Sequence, residues 1–245
     1  MSLCINDDLI WVSVPRCASY SIENALFNSS LNINHYKYGG ARVYTEHLHI
    51  PLTRLYHKFG KKETIVIKRN YFDRWISAFQ HMFVSYEKNN IKLSHKWEEV
   101  DNEFIYSNFS KEYIESIHAF SVMDLDVIGY KDTIRVKEIL KENTFKFKNI
   151  NSKVQTADFD IRFTPFIMLL SQMSWVDNTK CTYEFDISEI DKFEKFISNR
   201  YAIDFKLEKL NESMPVKNNI VKDDKLKQWV FDNFEKRFEK RNQLI

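Results

Sequence analysis

The sequence has only four glycines and four prolines in 245 residues. No linker rich in proline, glycine or serine is present. The Walker A spacing G-x-x-x-x-G-K-[ST] is absent, which moves ATP and GTP hydrolases down the range of candidates. Cysteine is also sparse. Cys4, Cys17 and Cys181 are odd in number, far apart, and lack the paired spacing of a zinc site or a disulfide framework, so a reducing compartment is expected. No apolar run approaches the roughly 20 residues that span a bilayer, and Asp7 and Asp8 stand where a secretory signal would carry its apolar core. A cytoplasmic chain without a membrane partner is the expectation. Nor does one sign of charge dominate: 36 basic residues face 34 acidic ones. No global field favours nucleic acid or an anionic surface, and any anion site must be local. There is no internal repeat, and the polar stretch 141–153 is the nearest approach to low complexity.

What is present is apolar mass, 44% of residues with 15% aromatic. This suffices for one sizeable core, and a single domain over 1–245 is expected. Leu9 to Val14 is a short, mostly apolar run ended by Pro15, as in a buried strand, and Ser19 or Ser21 can cap a following helix with Ile22, Ala25 and Leu26 on one face. A second such unit follows. Thr64 to Ile67 reads as a strand, Asp73 as an N-cap, and Trp75, Ile76, Phe79, Met82, Phe83 and Tyr86 recur at helical spacing, which marks Trp75, Phe79 and Phe83 as core. Further helices are predicted at 113–123, 133–140 and 188–199, with a late strand at 181–187. An amphipathic docking helix is predicted at about 223–242, with Leu226, Trp229, Val230, Phe234 and Phe238 as its stripe. Strands alternating with helices imply an α/β fold with a central parallel sheet flanked by helices.

A turn from a strand's carboxyl end into a helix presents unpaired N–H groups and the positive end of the helix dipole, together an anion site. Cys17, Ala18, Ser19, Tyr20 and Ser21 occupy such a turn. Arg16 adds a charge that can fork onto two phosphate or sulfate oxygens, and the Ser19 and Ser21 hydroxyls can donate to others. In the second unit Arg69 ends the strand and Ser77 lies about one turn inside the next helix, so that both can face one group above the sheet. Two separated phosphate sites imply a nucleotide phosphorylated at two positions. Arg69, Asp73 and Arg74 also have a bland reading as a surface ion-pair cluster, which suits Asp73 and Arg74.

Pro15-Arg16-Cys17-Ala18-Ser19-Tyr20-Ser21, followed by Ile67-Lys68-Arg69-Asn70-Tyr71-Phe72-Asp73-Arg74-Trp75-Ile76-Ser77-Ala78-Phe79, resembles two motifs of one enzyme family. This is the sulfotransferase family that uses 3′-phosphoadenosine-5′-phosphosulfate (PAPS), in its carbohydrate-modifying, heparan or uronyl 2-O branch. Their order and context carry the likeness, and Gln172-Met173-Ser174-Trp175 and Asn211-Glu212-Ser213 add fainter similarity. The resemblance implies a P-loop-like nucleotide-binding architecture, PAPS as co-substrate without a metal, and a carbohydrate or other hydroxyl-bearing acceptor. It implies that Arg16 to Ser21 hold the 5′-phosphosulfate and that Arg69 and Ser77 hold the 3′-phosphate. Arg16 stands for the family's lysine and Ser19 for its glycine; a Cβ there costs on the order of 1 kcal/mol if the position needs positive φ.

Sulfuryl transfer requires neutralisation of the leaving phosphate, for which Arg16 is placed, and removal of the acceptor's proton. Glu46-His47-Leu48-His49-Ile50 resembles the segment that supplies a histidine near the acceptor in the carbohydrate branch, which selects His47 as general base with His49 in reserve. A metal reading of His47 and His49 lacks a third ligand at readable spacing. Two other functions fit parts of the pattern. One is a non-catalytic nucleotide-binding module, suggested by Ser19; the other is a P-loop-like phosphotransferase, opposed by the missing Gly-Lys-Ser/Thr and the lack of an evident magnesium carboxylate.

Overall fold

The computed structural model describes residues 2–35, 52–88, 97–111, 114–115, 118, 168–176, 180–208 and 219–238. They belong to two compact units, one of Met1–Arg74, Ser171–Ser213 and Phe238–Ile245, the other of Trp75–Leu170 and Met214–Arg237. Among the described residues no helix is long and apolar enough to cross a membrane. Cys4, Cys17 and Cys181 are free thiols, all buried.

The first unit is built on a five-stranded sheet of β1 (Leu3–Ile5), β2 (Leu9–Val12), β3 (Ile33–His35), β4 (Glu63–Lys68) and β5 (Tyr183–Asp186), in the order β3-β1-β2-β4-β5. The α/β character expected from the sequence is present, but only β2, β4 and β5 run parallel; β1 pairs antiparallel with both β2 and β3. The sheet is mixed for a local reason. Asn6 and Asp7 both take positive φ, 46° and 60°, and the Asp8 N–H donates to the Ile5 carbonyl at 3.0 Å. Two such residues favour a primed hairpin turn, and Asn and Asp tolerate the left-handed region better than most. Asn6 also holds β3 in place, its Oδ1 accepting the Asn32 N–H at 2.8 Å.

Among the described residues of this unit, α1 (Ser19–Asn28) follows β2 in the chain, α2 (Leu52–Phe59) follows β3, and the start of α3 (Tyr71–Lys88) follows β4. The expected cap at Asp73 is not used. Asn70 takes the role, its Oδ1 accepting the Phe72 and Asp73 N–H groups at 3.0 and 3.3 Å, because the helix starts a turn earlier than the apolar stripe suggests. The late strand and helix appear close to their expected places. Asp186 closes β5 and forms a capping box with Glu189, leading through the 3₁₀ turn Ile187–Glu189 into α4 (Ile190–Tyr201). Phe193 of α4 packs against Trp11 of β2 and Phe185 of β5 with ring centroids 5.8 and 6.0 Å apart. Burying side chains of this size contributes roughly 1.5–3 kcal/mol each.

At the amino ends of the parallel strands Arg200 of α4 is fixed by carboxylates. Its Nη2 donates to Asp8 Oδ2 at 2.8 Å and to Glu63 Oε2 at 2.6 Å, while Tyr201 and Tyr183 donate to Asp8 and Glu63 at 2.7 and 2.9 Å. This network lies at the edge of the sheet opposite the turn that follows β2.

In the second unit α5 (Asn102–Asn108) is capped by Asp101, and α6 (Asp224–Val230) by Asp223, before running into the π-helical turn Phe231–Glu235. Leu226, Val230 and Phe234 of the expected stripe are fully buried. Trp75 and Phe79 of α3 are core, as expected, and Trp75 packs edge-on against Trp229 at 5.9 Å. The Phe83 side chain and the expected helix at 133–140 lie outside the described residues, as does most of 113–123.

Candidate functional site

The carboxyl ends of β2, β4 and β5 lie side by side, each followed by a turn into a helix. Open parallel sheets bind their ligands at this edge. After β2, Pro15 fixes its own φ, and the Cys17 N–H donates back to the Val14 carbonyl at 3.3 Å. Arg16, third in that four-residue turn, takes φ 65°, the left-handed value that a type II turn demands at this place. Ala18 follows at φ 58°, ψ 17° as the N-cap of α1.

Neither residue is a glycine, so the chain carries a backbone cost of about 1 kcal/mol or more at each. Alternating left- and right-handed residues turn successive N–H groups toward one side and form a concave nest for anions. The serine caps expected at this helix are not used. Ala18 occupies the N-cap, no side chain caps α1, and its first turn holds no acidic residue. The N–H groups of Ala18 and Ser19 enter no hydrogen bond among the described residues. The positive end of the helix dipole at this turn suits an anionic group. Ser19, in the place of a glycine, has no positive φ; that conformation falls on its neighbours Arg16 and Ala18.

Three guanidinium groups gather around this turn. Burial, and then the charge of Arg69, hold the Arg16 guanidinium below its ordinary value. Two like charges in a partly desolvated place favour a bound anion. Burial pushes the Cys17 thiol up to about 11 even though Arg74, Arg69 and Arg16 all act in the opposite direction. Cys17 is therefore a neutral, fully buried thiol and contributes packing and its main chain. Arg74 is completely buried. The surface reading of that residue is thus corrected: it begins the second turn of α3, where the helix packs inward, and its charge reaches Cys17.

Arg69 follows β4 directly. Its main chain is gripped by the Gln172 side chain, whose Oε1 accepts the Arg69 N–H at 3.1 Å and whose Nε2 donates to the Arg69 carbonyl at 3.0 Å. Across the same edge Asp186 ends β5. The Ser188 hydroxyl and N–H, and with less weight the charge of Arg69, hold its carboxyl below the usual range. Behind the turn, the Ser13 hydroxyl donates to the buried carboxylate of Glu23 at 2.8 Å, tying the end of β2 to α1.

Of the residues selected from the sequence, the first unit brings together Arg16, Cys17, Ala18, Ser19, Tyr20, Ser21 and Arg69. Ser77 is half-buried on α3, in the part of that helix assigned to the second unit. His47 and His49 lie outside the described residues. Gln172, Arg74, Glu23 and Asp186 were not selected from the sequence. For Gln172 the only sequence signal was its place in a segment of faint family similarity; for the others, no local pattern announces the contact. No family, curated protein or solved structure matches the chain in comparisons with known proteins.

Proposed function

We propose that this chain is a PAPS-dependent sulfotransferase that moves a sulfuryl group to an acceptor hydroxyl, with a carbohydrate as the acceptor. One observation carries the reading: Arg16 and Arg69 follow the ends of adjacent parallel strands, and the charge of Arg69 reaches Arg16 beside a helix N-terminus that no side chain caps. A strongly anionic substrate fits that arrangement. Ser19 does not take a positive φ, which supports the enzyme over a module without turnover.

In this reading Arg16 and the main chain of Cys17 to Ser21 hold the 5′-phosphosulfate, and Arg69 holds the 3′-phosphate, a role that the sequence resemblance alone extends to Ser77. The acceptor oxygen forms a bond to sulfur as the bridging bond from sulfur to the 5′-phosphate oxygen breaks. The acceptor's proton passes to His47, with His49 in reserve, and the charge that appears on the leaving phosphate is neutralised by Arg16. The carbohydrate preference rests on the sequence resemblance.

Transfer of labelled sulfuryl from PAPS to a panel of glycans tests the reading. Wild type is expected to label at least one acceptor, and His47→Ala to lose about 10²–10⁴-fold in rate while still binding nucleotide. Nucleotide binding without transfer to any acceptor would favour the non-catalytic module.

A further inference from the structure

Gln172 and Arg69 are 103 residues apart in sequence, yet the carboxamide satisfies both main-chain groups of Arg69. The residue after a central strand has no ladder partner for these groups, and without one they would need water or another element. Gln172 is itself held rigidly. It opens the 3₁₀ turn Gln172–Ser174, which is capped by the fully buried Ser171, whose Oγ accepts the Met173 N–H at 3.1 Å. The Trp175 N–H closes the turn on the Gln172 carbonyl at 3.2 Å. The Trp175 carbonyl in turn accepts the Leu52 N–H, at the start of α2, at 2.9 Å. Leu52 follows His49 by three residues in the chain. One short turn therefore braces both the strand end that carries Arg69 and the helix that begins just after the histidine pair.

We propose that Gln172 is a positioning residue that fixes the main chain of Arg69, so that the guanidinium recognises the second phosphate of the nucleotide and selects a doubly over a singly phosphorylated adenosine. The proposal rests on the sulfotransferase reading for the identity of that nucleotide. It assigns Gln172 no contact with substrate. Its effect passes through Arg69, so it acts on the 3′-phosphate and leaves binding at the Arg16 turn largely unchanged.

Calorimetric titration with adenosine 3′,5′-bisphosphate and with adenosine 5′-monophosphate separates these effects. In Gln172→Ala the affinity for the bisphosphate is expected to fall about tenfold, as for loss of one to two hydrogen bonds, while affinity for the monophosphate stays within about twofold. Gln172→Glu keeps an acceptor for the Arg69 N–H and is expected to fall between wild type and Gln172→Ala. It also provides a second variant if the alanine protein does not fold. Preference for the bisphosphate that survives in both variants, or an equal loss for both nucleotides, overturns the role of Gln172 alone. A wild type that does not distinguish the two nucleotides overturns the parent reading, and the role of Gln172 with it.

Discussion

Ala18 is held at φ 58°, where an L-residue is strained, and the strain sits at the first N–H groups of α1. Replacing it with glycine relieves the left-handed cost but adds disorder to the unfolded chain. The net expectation for Ala18→Gly is between no change and about 1 kcal/mol of added stability in urea denaturation. Ala25→Gly, in the middle of the same helix, should cost about 1 kcal/mol. If both variants lose stability alike, the backbone at Ala18 is not left-handed. The sequence pointed to Ser19 as the strained position because it replaces a glycine in a resembling motif. Residue type does not report φ when the left-handed places are filled by Arg16 and Ala18, so these places are set by the folded turn and not by composition. Arg74 was hidden for a related reason. A charged residue in a helical pattern reads as solvated, and burial of its guanidinium depends on what packs over it.

At the scale of elements, β2, β4, α3 and α4 were legible because each has a continuous apolar run or a helical stripe. β1 and β3 were not, since three residues carry no periodicity and the Asn-Asp-Asp turn between β1 and β2 reads equally well as a polar terminus. At α3 the sequence pattern pointed to Asp73 as the cap, whereas the structure uses Asn70, a residue type that caps equally well. Asn70→Ala should lower stability by about 1 kcal/mol in denaturant titration, with Asn70→Asp restoring most of it. Because the same residue joins Arg69 to α3, the alanine variant should also weaken nucleotide binding. Unchanged stability in Asn70→Ala would mean that another group caps this helix.

For the molecule as a whole, a formal charge of +2 conceals a segregated arrangement. At the amino ends of the parallel strands the Arg200 guanidinium is matched by Asp8 and Glu63, which bind it firmly despite the cost of its burial. At the carboxyl ends Arg16, Arg69 and Arg74 lie near one another around Cys17. The first arrangement serves stability and the second favours an anion. The individual motifs were readable in the sequence; the gathering of residues 16, 69 and 74 at one edge required the strand order. The most direct measurement is the thermal stability of wild type, Arg16→Ala and Arg69→Ala with adenosine 3′,5′-bisphosphate or ADP. At about one hundred times its dissociation constant, the bisphosphate should add about 2.7 kcal/mol to wild-type stability, ADP much less, and each arginine variant should lose most of the effect. Equal stabilisation by both nucleotides, or full stabilisation of both variants, would contradict an anion site shared by Arg16 and Arg69.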